Sequence, residues 1–323
     1  MLISVVVPTC GRPALLDRCL AALANQRFDP ARYEIIVVDD APDEEVRSLV
    51  LDWTVHTLGR GPIIGYIASR GPHGPAAARN RGWRAGSGEI VAFTDDDTEP
   101  DRDWLRQGYG ALCDGGDAAW GRIVVPIGAL PTDYELDARN LERAQFATAN
   151  CFCRRAVLEE LKGFDERFRL AWREDSDFYF RLLGRAARVA HVPEAVVVHP
   201  VRPAPWGVSL VQQKKIAYDA LLYKKHPRLY RERIRARARW DYYLIVAALA
   251  AAPLAAALGA PALAGMAAAL WLGLTGALCA RRLRCTSKAP RHVAEMIVTS
   301  ALIPPLAVFW RLVGAIRFRA PLL

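Results

Sequence analysis

Two short apolar runs near the start of the chain, Leu2–Val7 and Glu34–Val38, are β-branched at almost every position. Continuous runs of this length read as strands buried on both faces, which is how strands of a parallel sheet read. Between them Leu15, Leu16, Cys19, Leu20 and Leu23 recur at helical spacing over Pro13–Asn25, with Pro13 suited to a first helical turn. Asp43–Leu51 and Pro75–Ala85 read as further helices and Glu89–Thr94 as another strand. Strands alternating with helices imply right-handed crossovers, so the expected fold class is α/β: a doubly wound, Rossmann-like, mixed and mostly parallel sheet. Ala118–Pro126, Phe146–Cys153 and two pieces, Arg188–Val192 and Ala195–His199, are expected to extend it. Asp175–Gly184 reads as a helix after the loop 168–174.

In such sheets ligands gather beyond the carboxyl ends of the strands. Polar clusters stand at those ends: Pro8-Thr9 after the first strand, Asp39-Asp40 after the second, and Asp95-Asp96-Asp97 after Glu89–Thr94. Three adjacent carboxylates raise one another's pKa unless a cation, donors or water relieve them. A divalent metal carrying a diphosphate would do so, since Mg²⁺ and Mn²⁺ take hard oxygen ligands and keep sites for phosphate. A solvated acidic turn is the competing reading of the triplet taken alone.

The net charge of +9 is unevenly placed: 19 of the 43 Lys and Arg but 4 of the 34 Asp and Glu follow Val201. The basic clusters flank apolar segments instead of interleaving with aromatics, which argues for anionic lipid headgroups and against nucleic acid. Tyr243–Leu258 and Ala262–Ala280 carry no charge and approach the roughly 20 apolar residues a membrane crossing needs. Arginines at 228, 231, 233, 235, 237 and 239 precede the pair and Arg281, Arg282, Arg284, Lys288 and Arg291 follow it. The positive-inside rule then makes it a hairpin with both ends cytoplasmic. An Ala-rich helical pair packed on the catalytic domain is the soluble alternative. Val293–Val313, interrupted by Pro304-Pro305, reads as a kinked helix lying in the interface. The expected division is a catalytic domain over 1–205, a basic helical linker over 206–240 and a membrane-associated region over 241–323. The seven scattered cysteines read as free thiols in a reducing compartment. Leu2–Val7 is too short for a signal sequence.

Six pieces stand in one order: Val5-Val-Val-Pro-Thr-Cys-Gly-Arg12, Glu34-Ile-Ile-Val-Val-Asp-Asp40, Gly74-Pro-Ala-Ala-Ala-Arg-Asn80, Ile90-Val-Ala-Phe-Thr-Asp-Asp-Asp97, Gly163-Phe-Asp-Glu166 and Arg173-Glu-Asp-Ser-Asp177. Over residues 2–200 the chain resembles the family 2 glycosyltransferases, inverting enzymes of the GT-A fold that use nucleotide-sugar donors. The resemblance implies that Pro8, Thr9 and Arg12 border the nucleotide, that Asp39 accepts from the base and that Arg79 helps hold the base end. Where the family usually continues Asp-Asp-Gly-Ser, this chain has Asp39-Asp40-Ala41-Pro42, so its turn differs.

By the same resemblance Asp95 lies on or near the ribose, Asp96 touches the donor, and Asp97 holds an Mn²⁺ or Mg²⁺ ion, with His199 as a further ligand. Asp175 matches the catalytic base, for which the rival reading is a helix N-cap. Glu174 and Trp172 would meet the acceptor. These expectations give a UDP-sugar donor, a lipid-linked or cell-envelope glycan acceptor, and a place on the cytoplasmic face of a cell membrane, in a bacterium the inner one. A sugar-nucleotide nucleotidyltransferase and a non-catalytic membrane-tethered scaffold are the alternatives. A dinucleotide oxidoreductase is disfavoured because no Gly-x-Gly-x-x-Gly follows an early strand.

Overall fold

The structure, a computed structural model, describes residues 2–321. In chain order the first elements are β1 (Ile3–Thr9), α1 (Pro13–Ala24), β2 (Tyr33–Asp39), α2 (Glu44–Thr57), β3 (Ile63–Ala68), α3 (Pro75–Ala85) and β4 (Ile90–Phe93). There follow β5 (Glu99–Pro100), α4 (Trp104–Cys113), β6 (Ala118–Val124), α5 (Asp133–Arg139), β7 (Cys151–Arg154), α6 (Arg155–Leu161), α7 (Glu174–Gly184) and β8 (Val189–Val198). The remainder is helical: α8 (Val208–Gln212), α9 (Ala217–Lys225), α10 (Pro227–Arg233), α11 (Trp240–Ala257), α12 (Pro261–Leu283) and α13 (Pro290–Phe318). By their contacts the residues form two compact units. One holds the chain up to Pro126 with Arg139–Val201; the other holds Ile127–Ala138 with the chain from Arg202 onward.

The first unit is an eight-stranded sheet in the order β3-β2-β1-β4-β7-β6-β8-β5. β1 runs parallel to β2 and β4, β2 to β3, and β6 to β8, while β7 is antiparallel to both its neighbours and β5 to β8. Every residue of β1 is buried, as a strand covered on both faces requires. One face packs against α1, α2 and α4 through Leu16, Leu20, Val46, Val50, Trp104 and Leu105. On the other, α3 sits so close that a Cβ on Gly82 would come 2.3 Å from Val6. The mixed, mostly parallel sheet is the expected one.

Several elements depart from the sequence reading, among them the short β5, α5 and α6. β3 and α4 were not anticipated; α4 contains Gly108 and Gly110, which weaken its intrinsic helical signal. β8 is one strand, not two pieces. Its pairing with β6 jumps from Gly121↔Val192 to Arg122↔Val196, so Pro193, Glu194 and Ala195 bulge out. Asn150 repairs the gap: its amide donates to the Arg122 and Ala195 carbonyls at 2.9 and 2.8 Å and accepts from the Trp104 indole at 2.8 Å. Bulges of this kind re-aim the strand beyond them, and what lies beyond is His199.

In the second unit α11 and α12 form a hairpin whose base is tied by Arg281 to Asp241 at 3.5 Å. α11, α12 and α13 are each long and apolar enough to cross a membrane. The expected helix over Val293–Val313 is longer, and it runs unbroken through Pro304 and Pro305 although these remove two N–H donors. Arg282 gathers the unit's own parts, pairing with Asp133 at 2.8 Å and donating to the Thr299 and Ser300 hydroxyls at 2.7 and 3.1 Å.

Candidate active site

The carboxyl ends of β1, β2, β4 and β8 lie on one edge of the sheet, since these strands run in the same direction. The turn after β4 is held tightly: both the N–H and the hydroxyl of Thr98 donate to the Asp95 carbonyl, at 3.3 and 2.7 Å. Asp96 points inward and is fully buried. It accepts from the Thr9 hydroxyl at 2.7 Å and lies 3.0 Å from the Arg12 guanidinium. Burial pushes its carboxyl up to about 6; Arg12 and Thr9 oppose this, while Asp97 and Asp95 add to it. Arg12 also stands 3.7 Å from Asp97. Thr9, Arg12 and the triplet are thus brought together. Pro8, beside them, is buried in β1 opposite Val38.

Asp95, Asp97 and His199 each place one potential ligand atom within 4.8 Å of the others. The His199 ring sits 3.5 Å from Asp97, and its backbone N–H donates to the Val124 carbonyl at 2.8 Å. Two carboxylates with one imidazole suit Mn²⁺ and accommodate Mg²⁺, so the residues present fit a divalent ion. Asp95 was expected at the ribose; the structure adds it to the Asp97–His199 pair.

Arg79 is buried and forks between two acids, Asp95 at 2.7 Å and Glu174 at 3.1 Å. Burial opposes its charge, and the two carboxylates outweigh burial, so the guanidinium stays charged. Asp95 is drawn below the ordinary carboxylate range because Arg79, His199 and Arg12 overcome its own burial. Burial pushes Glu174 up to about 7 against the pull of Arg79. The two terminal nitrogens of Arg79 donate to acids 16 and 95 residues away, and its Nε has no partner among the described residues.

Asp175 follows Glu174 in the first turn of α7 and is partly exposed. Its carboxylate accepts from the Ser176 N–H and hydroxyl at 2.6 and 3.2 Å. The N-cap position belongs to Arg173, whose φ of 76° is uncommon for a residue with a side chain. The Arg173 guanidinium lies over the half-exposed Trp172 ring at 4.4 Å. The conformation that aims α7 therefore leaves Trp172 and Asp175 facing outward while Glu174 goes in.

Asp39 is fully buried, and both its oxygens are committed. They accept from the Ala41 and Asp43 N–H groups at 3.3 and 3.0 Å and from the Tyr66 hydroxyl at 3.0 Å. Asp40 takes the Gly74 N–H at 2.8 Å and the Ser69 hydroxyl at 3.3 Å. Gly74 needs its freedom, with φ at +117° and the Arg169 backbone 2.7 Å from where a Cβ would be. Asn80 joins two of the sequence pieces by bonding the Phe164 backbone on both sides at 2.8 Å, and Glu166 at 2.8 Å. Sequence reasoning quoted Asn80 and Asp40 inside motifs without giving either a task. Tyr66 and Ser69 carried no signal.

Comparison with known proteins agrees with this geometry. The profile described as Glycosyl transferase family 2 matches residues 4–172, and that described as Glycosyl transferase family group 2 matches residues 90–312. A glycosyltransferase of Haloferax volcanii, AglE, is 24% identical over 248 residues, covering 74% of this chain and 79% of its own. The pre-mycofactocin glycosyltransferase of Mycobacterium tuberculosis is 30% identical over 216 residues, covering 62% of this chain and 43% of its own, so this chain spans under half of that relative. Among solved structures, a mannosyltransferase of Pyrobaculum calidifontis in complex with GDP-Man and Mn²⁺ aligns with a TM-score of 0.59 at 21% identity, over 95% of this chain and 87% of that one. With one profile covering half of the chain and another two thirds, the protein belongs to glycosyl transferase family 2 and is an enzyme of the glycosyltransferase class with a GT-A fold.

Proposed function

We propose that the protein is an inverting glycosyltransferase that moves a sugar from a nucleoside diphosphate, UDP by first expectation, to a hydroxyl of a lipid-linked or cell-envelope glycan. The observation that carries this reading is the convergence of Asp95, Asp97 and His199 beside Thr9 and Arg12, with Arg79 tying Asp95 to the helix that bears Asp175. A divalent ion held by Asp95, Asp97 and His199 would offset the negative charge that gathers on the departing diphosphate. Arg12, at the same edge, adds a fixed positive charge next to the triplet. Asp175 accepts the proton of the acceptor hydroxyl as its oxygen attacks the anomeric carbon, and its partial exposure leaves it open to that hydroxyl. Trp172 offers the acceptor ring a flat apolar face. Beneath these groups Arg79 ties Asp95 of the triplet to Glu174.

The basic, apolar second unit supports a membrane-bound acceptor and a cytoplasmic catalytic domain. The test is transfer to a polyprenyl-linked acceptor in vesicles, with the anomeric configuration of the product read by NMR. Inversion with a nucleoside diphosphate as by-product is the expected result. Retention overturns the base assignment, and pyrophosphate release from a nucleoside triphosphate would favour a nucleotidyltransferase.

A further inference from the structure

Helix α13 has two faces, both at regular helical spacing. His292, Met296, Thr299, Ile303, Ala307 and Arg311 form a buried row. Opposite them Val298, Leu302, Phe309, Leu312 and Ile316 form an exposed row made entirely of apolar side chains. Such a stripe on a protein surface calls for an occupant.

The buried row is covered from within the second unit by the segment 207–225. The Gly207 N–H donates to Glu295 near the start of α13 at 2.7 Å. Ala217 meets Gly314 backbone to backbone, Asp219 lies 3.8 Å from Arg311, and the Lys224 ammonium donates to the Phe318 carbonyl at 2.8 Å. This cover carries Gln212, Gln213, Lys214 and Lys215, side chains that are expensive to place in hydrocarbon. A helix lined along its length by such a segment is poorly suited to crossing a bilayer.

The hairpin points the same way. Its buried residues are Ile245 and Ala248 on α11 and Thr275 and Leu278 on α12, all toward its basic base; the far half has none. A third crossing packed alongside would bury residues along the whole hairpin. Instead Arg282, at the base, reaches Thr299 and Ser300 in the first half of α13. The buried share of the apolar stretch is 39% for α13 and 11% for each hairpin helix.

We propose that α13 lies flat in the surface of an anionic bilayer, its Val298–Ile316 stripe at the level of the upper acyl chains, while the α11–α12 hairpin alone crosses. Charge complementarity identifies the occupant. Arg284, Lys288 and Arg291 are exposed just before the stripe and Arg317 and Arg319 just after it, while Glu295 is the one acidic residue of α13. An apolar face between basic ends is the form that anionic membrane surfaces take up. The stripe also continues from the hairpin base, so both can meet one membrane surface. This inference rests on the membrane attachment proposed above.

The test is topology, using the full chain in bacterial cells. Alkaline phosphatase, active only outside the cytoplasm, is inserted after Gly259 or fused after the last residue, and green fluorescent protein is fused at the same C-terminal place. The expected pattern is an active phosphatase at Gly259, an inactive one at the C-terminus and a fluorescent C-terminal fusion. Phosphatase activity at the C-terminus overturns the proposal by making α13 a crossing. Inactivity at Gly259 means that the hairpin does not cross, and the membrane reading then fails together with the proposal. Ala320→Cys gives a readout without a large fusion. Above the wild-type background it should react with an impermeant maleimide in inverted vesicles and not in right-side-out ones; the reverse pattern overturns the proposal.

Discussion

Arg79 shows how a single side chain can tie distant parts of a site together. Its planar fork pairs with the buried Glu174 and the partly exposed Asp95 at once, which a lysine ammonium matches poorly. Arg79→Ala should leave Glu174 and Asp95 without their partner and cost about 3–5 kcal/mol of stability, the usual penalty for breaking a buried ion pair. Urea denaturation measures it, and a loss below 1 kcal/mol would refute the pairing. Asp175→Asn tests a different kind of residue. It should lower transfer by roughly 10²–10⁴-fold while nucleotide affinity stays unchanged, as removal of a general base does; full transfer would end that assignment. The placement of Thr9 and Asp97 was legible in the sequence because polar residues just past apolar runs fall at one edge of a parallel sheet, whereas Arg12 and His199 were singled out by the family resemblance. The commitments of Arg79 and Asp39 were not, because each depends on partners from elements far apart in the chain.

At the scale of elements, the β8 irregularity sets where His199 arrives, and Asn150 holds it. Asn150→Ala would orphan two carbonyls and an indole N–H in the interior. At about 1–3 kcal/mol for each buried group left unsatisfied, less any water that enters, a clear fall in melting temperature is expected. Calorimetry decides this, and an unchanged melting temperature would contradict the role. Glu34 is a second clasp, accepting from the Ser4 hydroxyl at 2.8 Å and from Ser87 through its N–H at 2.7 Å and its hydroxyl at 2.8 Å. Burial raises its pKa, but these donors outweigh burial and hold it below the ordinary value. The stability it contributes is therefore present above the unfolded pKa and lost as pH falls through the folded one. Glu34→Gln should flatten this part of the acid limb in thermal melts below about pH 4.5; an identical pH profile would refute it. β1, β2 and α1 were readable because local sequence pattern and burial agree in them. β8 was read as two pieces because Pro193 and Glu194 interrupt its apolar pattern, and only Asn150, from another element, explains why the strand continues.

At the scale of the whole molecule, the chain keeps nearly all its carboxylates in the first 201 residues while its Lys and Arg are shared between both parts, which leaves the helical part strongly basic. That division was plain from charge counts alone, with 19 Lys and Arg against 4 Asp and Glu after Val201. It was less plain that Ile127–Ala138, from between β6 and β7, belongs with the helices. Asp133 joins them by a pair with Arg282, a contact 149 residues apart that no local pattern announces. In the proposed mechanism Asp95, Asp97 and His199 bind a nucleoside diphosphate through a divalent ion. The decisive measurement is a thermal-shift titration of the detergent-purified protein with UDP, GDP, dTDP and CDP, each with Mn²⁺ and with EDTA. Stabilisation by one nucleotide with Mn²⁺, absent with EDTA and absent in Asp97→Ala, is the predicted result. A shift that is equal with and without metal, or no shift with any nucleotide up to millimolar concentration, would contradict it.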